Sequence, residues 1–148
     1  STVRRDHCCL LTDYSHINLE LTFNPGVVQV GQIDWASTPL GDCTSSAPCH
    51  PLCLNNANAA NGSGDLVIGV SRNGNLCPEA TIVGGSEQKL MTLGFIGASV
   101  GTSPLTFVDG PNSGDCEILD DGNPPVSLGI PCDDRAPANG GAEVTVAR

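Results

Sequence analysis

The chain has 148 residues, among them 18 Gly, 11 Pro, 8 Cys and only three Phe, one Trp and one Tyr, and it carries a formal charge of −10 from 16 acidic and 6 basic side chains. That length suits one domain with a single core, and the charge repels phosphate polymers and anionic lipid, which argues against nucleic acid or a membrane surface as partner. The longest apolar stretch, LMTLGFIGASV at 90–100, is broken by Gly and falls short of the roughly 20 residues a spanning helix needs, so no membrane insertion is expected.

Residues 2–12, TVRRDHCCLLT, offer one strand, and nothing before them reads as a charged and then apolar secretory signal, so any such segment has been removed or was never there. From Ile17 the pattern alternates, with Ile17, Leu19, Leu21 and Phe23 on one face and Asn18, Glu20 and Thr22 on the other, as in a half-buried strand. Asn24-Pro25-Gly26 supplies a turn before the run VVQVGQIDW, giving strand, turn, strand. Residues 34–64 carry three cysteines, Pro39, Pro48, Pro51 and the stretch NNANAANGSG without period, and read as a long loop stapled by disulfides. Strand-like runs follow at DLVIGVS (65–71), KLMTLGFIG (89–97), PLTFVD (104–109), CEILD (116–120) and AEVTVA (142–147). Many short strands bounded by turn residues predict an all-β sandwich.

The cysteines at 8, 9, 43, 49, 53, 77, 116 and 132 are even in number and contain no C-x-x-C. They fit an oxidised framework and an extracellular or cell-surface location; their connectivity stays open. Cys43, Cys49, His50 and Cys53 could hold Zn²⁺, but their spacing is not that of a zinc knuckle or ribbon, so staples are expected and no metal is assigned. Cys8 and Cys9 point to opposite faces of a strand, and each is expected to bond elsewhere. DGPNSGDCEILD (109–120) partly echoes a calcium loop, yet Pro111 lacks a side-chain oxygen and the flanks read as strands, so a hairpin turn is expected. Asp120, Asp121 and Asn123, or Asp133 and Asp134, could bind Ca²⁺ weakly at the surface; no other cofactor is implied. Asn61-Gly62-Ser63 satisfies the glycosylation rule. No nucleophile motif is present, since GVSRNG at 69–74 is not G-x-S-x-G, and an enzyme is not expected.

Three stretches, NLELTFNPGVVQVGQI, QKLMTLGFIGASVGTSPLTF and GGAEVTV, together resemble the cohesin family. The resemblance implies that residues 1–148 form one cohesin-like domain, a jelly-roll or immunoglobulin-like β-sandwich of about 8–9 strands. It also implies a non-catalytic module that recognises a protein through one sheet face. Carried onto this chain, that face includes His16, Asn18, Glu20 and Thr22. The cysteine content and the 34–64 segment depart from the family pattern. A cohesin places two strands ahead of the LTFNP strand, where residues 2–12 supply one. If the missing element is the partner of the C-terminal strand, an edge lined by Val3, Leu10, Val144 and Val146 is open to strand exchange between copies.

The expected function is therefore extracellular assembly by protein–protein contact, with copies of itself in a filament or surface layer, or with a docking partner. The competing class is a carbohydrate-binding module taking polysaccharide, for which Trp35 and Tyr14 are the candidate platforms.

Overall fold

The structure is a computed structural model that describes residues 11–74, 77–83, 88–108, 117–120, 127–128 and 142–148. These residues form ten strands and one short helix: β1 (Leu11–Tyr14), β2 (His16–Thr22), β3 (Val28–Asp34), β4 (Leu52–Asn55), α1 (Ala57–Ser63), β5 (Asp65–Ser71), β6 (Ala80–Val83), β7 (Thr92–Gly97), β8 (Gly101–Phe107), β9 (Glu117–Leu119) and β10 (Ala142–Val146). All pairings are antiparallel. β2 is central: β5 pairs along one whole edge, with His16 opposite Ser71 and Thr22 opposite Asp65. Its other edge is divided between β9 at His16–Asn18 and β8 at Leu21–Thr22. The main sheet runs β10-β8-β2-β5-β4, with β9 beside β2, and two further sheets are β3-β7 and β1-β6.

Alternation builds the core. Ile17, Leu21, Leu66, Ile68 and Val70 face inward from β2 and β5, each no more than 5% exposed, and Ile17, Leu66, Ile68 and Val70 meet Val28 and Val30 of β3 in one cluster. Burying each such side chain contributes about 1.5–3 kcal/mol. Phe23 and Phe95 close the contact edge to face, their ring centroids 5.7 Å apart, a favoured aromatic geometry. Leu19, Val144 and Val146 pack partly buried against the cluster.

The Asn24-Pro25-Gly26 turn forms, with Asn24 Oδ1 accepting from Gly26 N–H at 3.0 Å and Asn24 N–H donating to Ser103 Oγ at 2.8 Å. It joins strands of different sheets, because β2 pairs with β5, β8 and β9 while β3 pairs with β7. Ser15 makes a second junction, between β1 and β2. Although fully buried, it is satisfied: its N–H donates to Leu119 O, its carbonyl accepts from Arg72 N–H and its hydroxyl donates to Asp120 O.

The expectation of a periodless loop over 34–64 is corrected in its second half. β4 and α1 occupy residues 52–55 and 57–63. Asparagine amides, rather than an apolar stripe, attach them. Asn56 Oδ1 accepts from Val67 N–H at 2.7 Å and its Nδ2 donates to Asp65 O at 3.0 Å. Asn61 Oδ1 accepts from Val30 N–H at 2.6 Å and its Nδ2 donates to Val30 O at 3.1 Å. Gly64 ends the helix at φ +79°, a left-handed conformation that favours glycine.

The staples are present. Cys43 bonds Cys53 and Cys49 bonds Cys77, tying the 35–51 segment to β4 and to the connection that leads into β6. Such bonds point to an oxidising, non-cytoplasmic environment. Among the described residues no helix is long and apolar enough to cross a membrane. Val3, Leu10, Cys8, Cys9, Cys116, Cys132, the 109–116 part of the calcium-like loop, and Asp121, Asn123, Asp133 and Asp134 lie outside the described residues.

Candidate functional site

The outer face of the main sheet collects the residues that alternation on β2 singled out. His16, Asn18, Glu20 and Thr22 all project to this side, half-buried by their cross-strand neighbours. The antiparallel register sets Ser71, Gly69, Val67 and Asp65 of β5 beside them in that order, and Leu52 and Leu54 of β4 beside Ser71 and Gly69. On the opposite side of β2, Leu119 lies next to His16 and Glu117 next to Asn18.

Two adjoining open hollows of about 220 and 250 Å³ occupy this face, sharing Asn18, Leu54 and Gly69 in their walls. His16, Leu52 and Ser71 line the first, Asn55, Asn56 and Val67 the second. Leu52 is 50% and Leu54 74% exposed, so the rim of the hollows is apolar. Below Gly69 there is no side chain to fill the floor. Position 69 and the two leucines escaped sequence reasoning; the outward L-x-L of PLCLN and the mid-strand Gly of DLVIGVS were the available signals.

Among the described residues the charge on this face is one-sided. Glu20, Asp65, Glu117 and Glu143 project from it, and none of the strands β2, β4, β5, β8, β9 and β10 contains a Lys or Arg. Arg72, just beyond β5, turns away to Glu79 at 3.5 Å and to Cys77 O at 3.1 Å.

The described residues contain a Ser–His contact, Ser15 Oγ to His16 Nδ1 at 2.9 Å. Ser15 gives its proton to Asp120 O at 2.8 Å, so its oxygen accepts from His16 Nδ1–H, and the ring acts as donor. A hydroxyl with 0% exposure that donates to a backbone carbonyl is held for packing, not for attack on a substrate.

Every aromatic side chain of the protein is buried or half-buried. Tyr14 is 1% exposed, its hydroxyl donates to Gln88 Oε1 at 2.6 Å, and burial pushes its phenol up to about 12. Trp35, Phe95 and Phe107 are half-buried, and Phe23 is buried. The rings considered as polysaccharide platforms are thus engaged inside the fold. Cys43, Cys49 and Cys53 are spent on disulfides, which leaves His50 without thiolates for a zinc site; its Nδ1 sits 3.1 Å from Pro51 O. Asn61 is half-buried, and the nitrogen a glycan would join is the one donating to Val30 O. Val144 and Val146 face inward from β10, which lies at the end of the sheet order next to β8.

No protein-family model, no curated protein and no solved structure matches this chain.

Proposed function

We propose that the protein is a non-catalytic assembly module that works outside the cell by protein–protein contact, in the manner of a cohesin-like docking domain on a jelly-roll sandwich. The outer face of β4, β5 and β2 is its docking surface. The observation that carries this reading is the pair Leu52 and Leu54, 50% and 74% exposed on β4, an edge strand among the described residues, and lining one hollow with His16 and Asn18. Edge strands in soluble proteins are usually blunted by charge or Pro, whereas LCLN has neither. An apolar rim in a polar surround is a common mark of a protein contact.

The hollows are open to solvent, whereas small-molecule pockets bury most of their ligand's surface. The burial of Ser15, Tyr14 and Phe23 and the half-burial of Trp35, Phe95 and Phe107 support contact with protein rather than catalysis or a flat polysaccharide. A second form of the reading is self-association by strand addition at β10, supported by the position of that strand at the end of the sheet.

A photoreactive residue at position 54, combined with sedimentation of the oxidised full chain, tests the proposal. The expected outcome is a position-54 cross-link to a protein of the surrounding extracellular fraction, lost in Leu52→Asp with an unchanged unfolding midpoint. Concentration-dependent assembly insensitive to Leu52→Asp would favour the β10 form. A monomer that yields no cross-link refutes both.

A further inference from the structure

Five glycines lie within strands, and four have a reason internal to the fold. A Cβ on Gly31 would stand 2.8 Å from Ile96 Cγ1, on Gly94 3.1 Å from Gln32 O, on Gly97 2.9 Å from Val146 Cγ1, and on Gly101 3.1 Å from Val27 Cγ2. Gly69 differs. Among the described residues a Cβ there would meet only Asn18 Oδ1 at 3.6 Å, an ordinary contact, and its φ lies outside the left-handed region. Yet Gly69 sits in the middle of β5, between β2 and β4, where glycine costs about 0.5–1 kcal/mol relative to alanine. Glycine inside a strand is otherwise found at bulges or where another backbone or ligand comes close. The pairing of β5 is regular on both sides, so close approach from outside is the remaining reason.

We infer that the hollow above Gly69 seats an apolar side chain of an extended segment from a partner protein, with Lys or Arg at the neighbouring outward positions of that segment. The seat rests on the docking reading above and names the partner's chemistry. Leu54 and Leu52 flank the apolar side chain, and Asn18, whose amide enters no hydrogen bond among the described residues, offers a donor and an acceptor to the incoming backbone. Same-face positions along a strand repeat every ~6.6–6.8 Å. Glu20 lies one such step from Asn18 along β2, and Glu117 lies beside Asn18 across the β2–β9 pair. A cation two residues from the seated side chain therefore reaches a carboxylate. Asp65, one further step along β5, keeps a buried carboxylate oxygen without a hydrogen-bond partner. Two copies meeting through this face would oppose carboxylates to carboxylates, which favours a basic partner over a second copy.

The test uses three synthetic octapeptides with Leu at position 4, Lys, Ser or Glu at positions 2 and 6 and Ser elsewhere, so that the varied residues share the face of the leucine, titrated into the ¹⁵N-labelled full chain and into Gly69→Val. In the wild type, the Leu-Lys peptide is expected to shift the amides of Asn18, Leu54 and Gly69 saturably, and the Leu-Glu peptide to leave them unmoved. Gly69→Val should weaken Leu-Lys binding at least tenfold while its thermal midpoint stays equal or rises, because the added methyls fill only open space and suit a strand. Equal shifts by all three peptides overturn the basic-partner assignment while leaving the docking face standing. Shifts confined to other surfaces, or undiminished in Gly69→Val, overturn the seat. Sedimentation showing assembly of the wild type but not of Gly69→Val makes the occupant a second copy and overturns the partner commitment. No shift with any peptide, together with no cross-link from position 54, overturns the docking reading as well.

Discussion

Replacing Asn61 by Ala removes the two hydrogen bonds that hold α1 against the outer edge of β3, from Val30 N–H at 2.6 Å and to Val30 O at 3.1 Å. A backbone donor and an acceptor lose their partners together. Each unsatisfied group costs about 1–3 kcal/mol when fully buried, and the lower end applies to this half-buried site. Alanine returns at most ~0.7 kcal/mol through its better helix propensity. The net loss is about 1.3–2 kcal/mol, which for a domain of this size lowers the melting temperature by roughly 3–8 °C. Asn58 is the internal control, an exposed asparagine of the same helix, and Asn58→Ala should be neutral or slightly stabilising. Thermal unfolding followed by circular dichroism, with the fluorescence of the single Trp35 as second probe, measures both variants. If Asn61→Ala melts together with Asn58→Ala, the clamp does not hold the helix and the reasoning fails.

Because the same Asn61 nitrogen is engaged with Val30 O, the folded chain should be a poor glycosylation substrate, and mass spectrometry after expression in a glycosylating host is expected to find position 61 bare; high occupancy on a natively stable protein would contradict this. Burial pushes the phenol of Tyr14, the one tyrosine, up to about 12 in the folded state, above the ordinary value near 10. Since burial disfavours the phenolate, its contribution to stability is complete below pH 10 and is lost as pH rises from about 10 to about 12. Phenolate absorbance should show a midpoint near 12 while the protein stays folded, and a native midpoint at 10 would exclude the burial described. Replacing Cys43 and Cys53 together by Ser opens a short loop and should cost about 2–3 kcal/mol in chemical denaturation. Loss of less than ~0.5 kcal/mol would mean that the remaining Cys49–Cys77 bridge alone orders the segment.

Period-two alternation made most strands legible. DLVIGVS became β5 over Asp65–Ser71, and the runs assigned around β2, β3, β7, β8, β9 and β10 fall within a few residues of the observed strands. What alternation does not encode is which sheet a strand joins. The turn after Phe23 reads the same whether it closes a hairpin or crosses between sheets, and here it crosses. β4 was hidden because its leucines point to solvent, the inverse of the expected pattern. The helix was hidden because ANAANGS buries only Ala60 and is held by amides, so it has no apolar stripe to detect. β6, a four-residue strand, offers too short a run for a period. The candidate face divides in the same way: His16, Asn18, Glu20 and Thr22 follow from one strand's period, whereas Leu52, Leu54 and Gly69 join them only through register.

The two bridges are interlaced along the chain: Cys49 lies between Cys43 and Cys53, and its partner Cys77 lies beyond both. Cleavage at any single peptide bond between residues 43 and 77 leaves at least one sulfur linkage across the break. A protease that clips the exposed Ser46–Pro48 stretch produces a nicked protein whose pieces stay joined, with β4 still tethered beside β5. Leu52 and Leu54 therefore lie inside a region where one cut releases nothing.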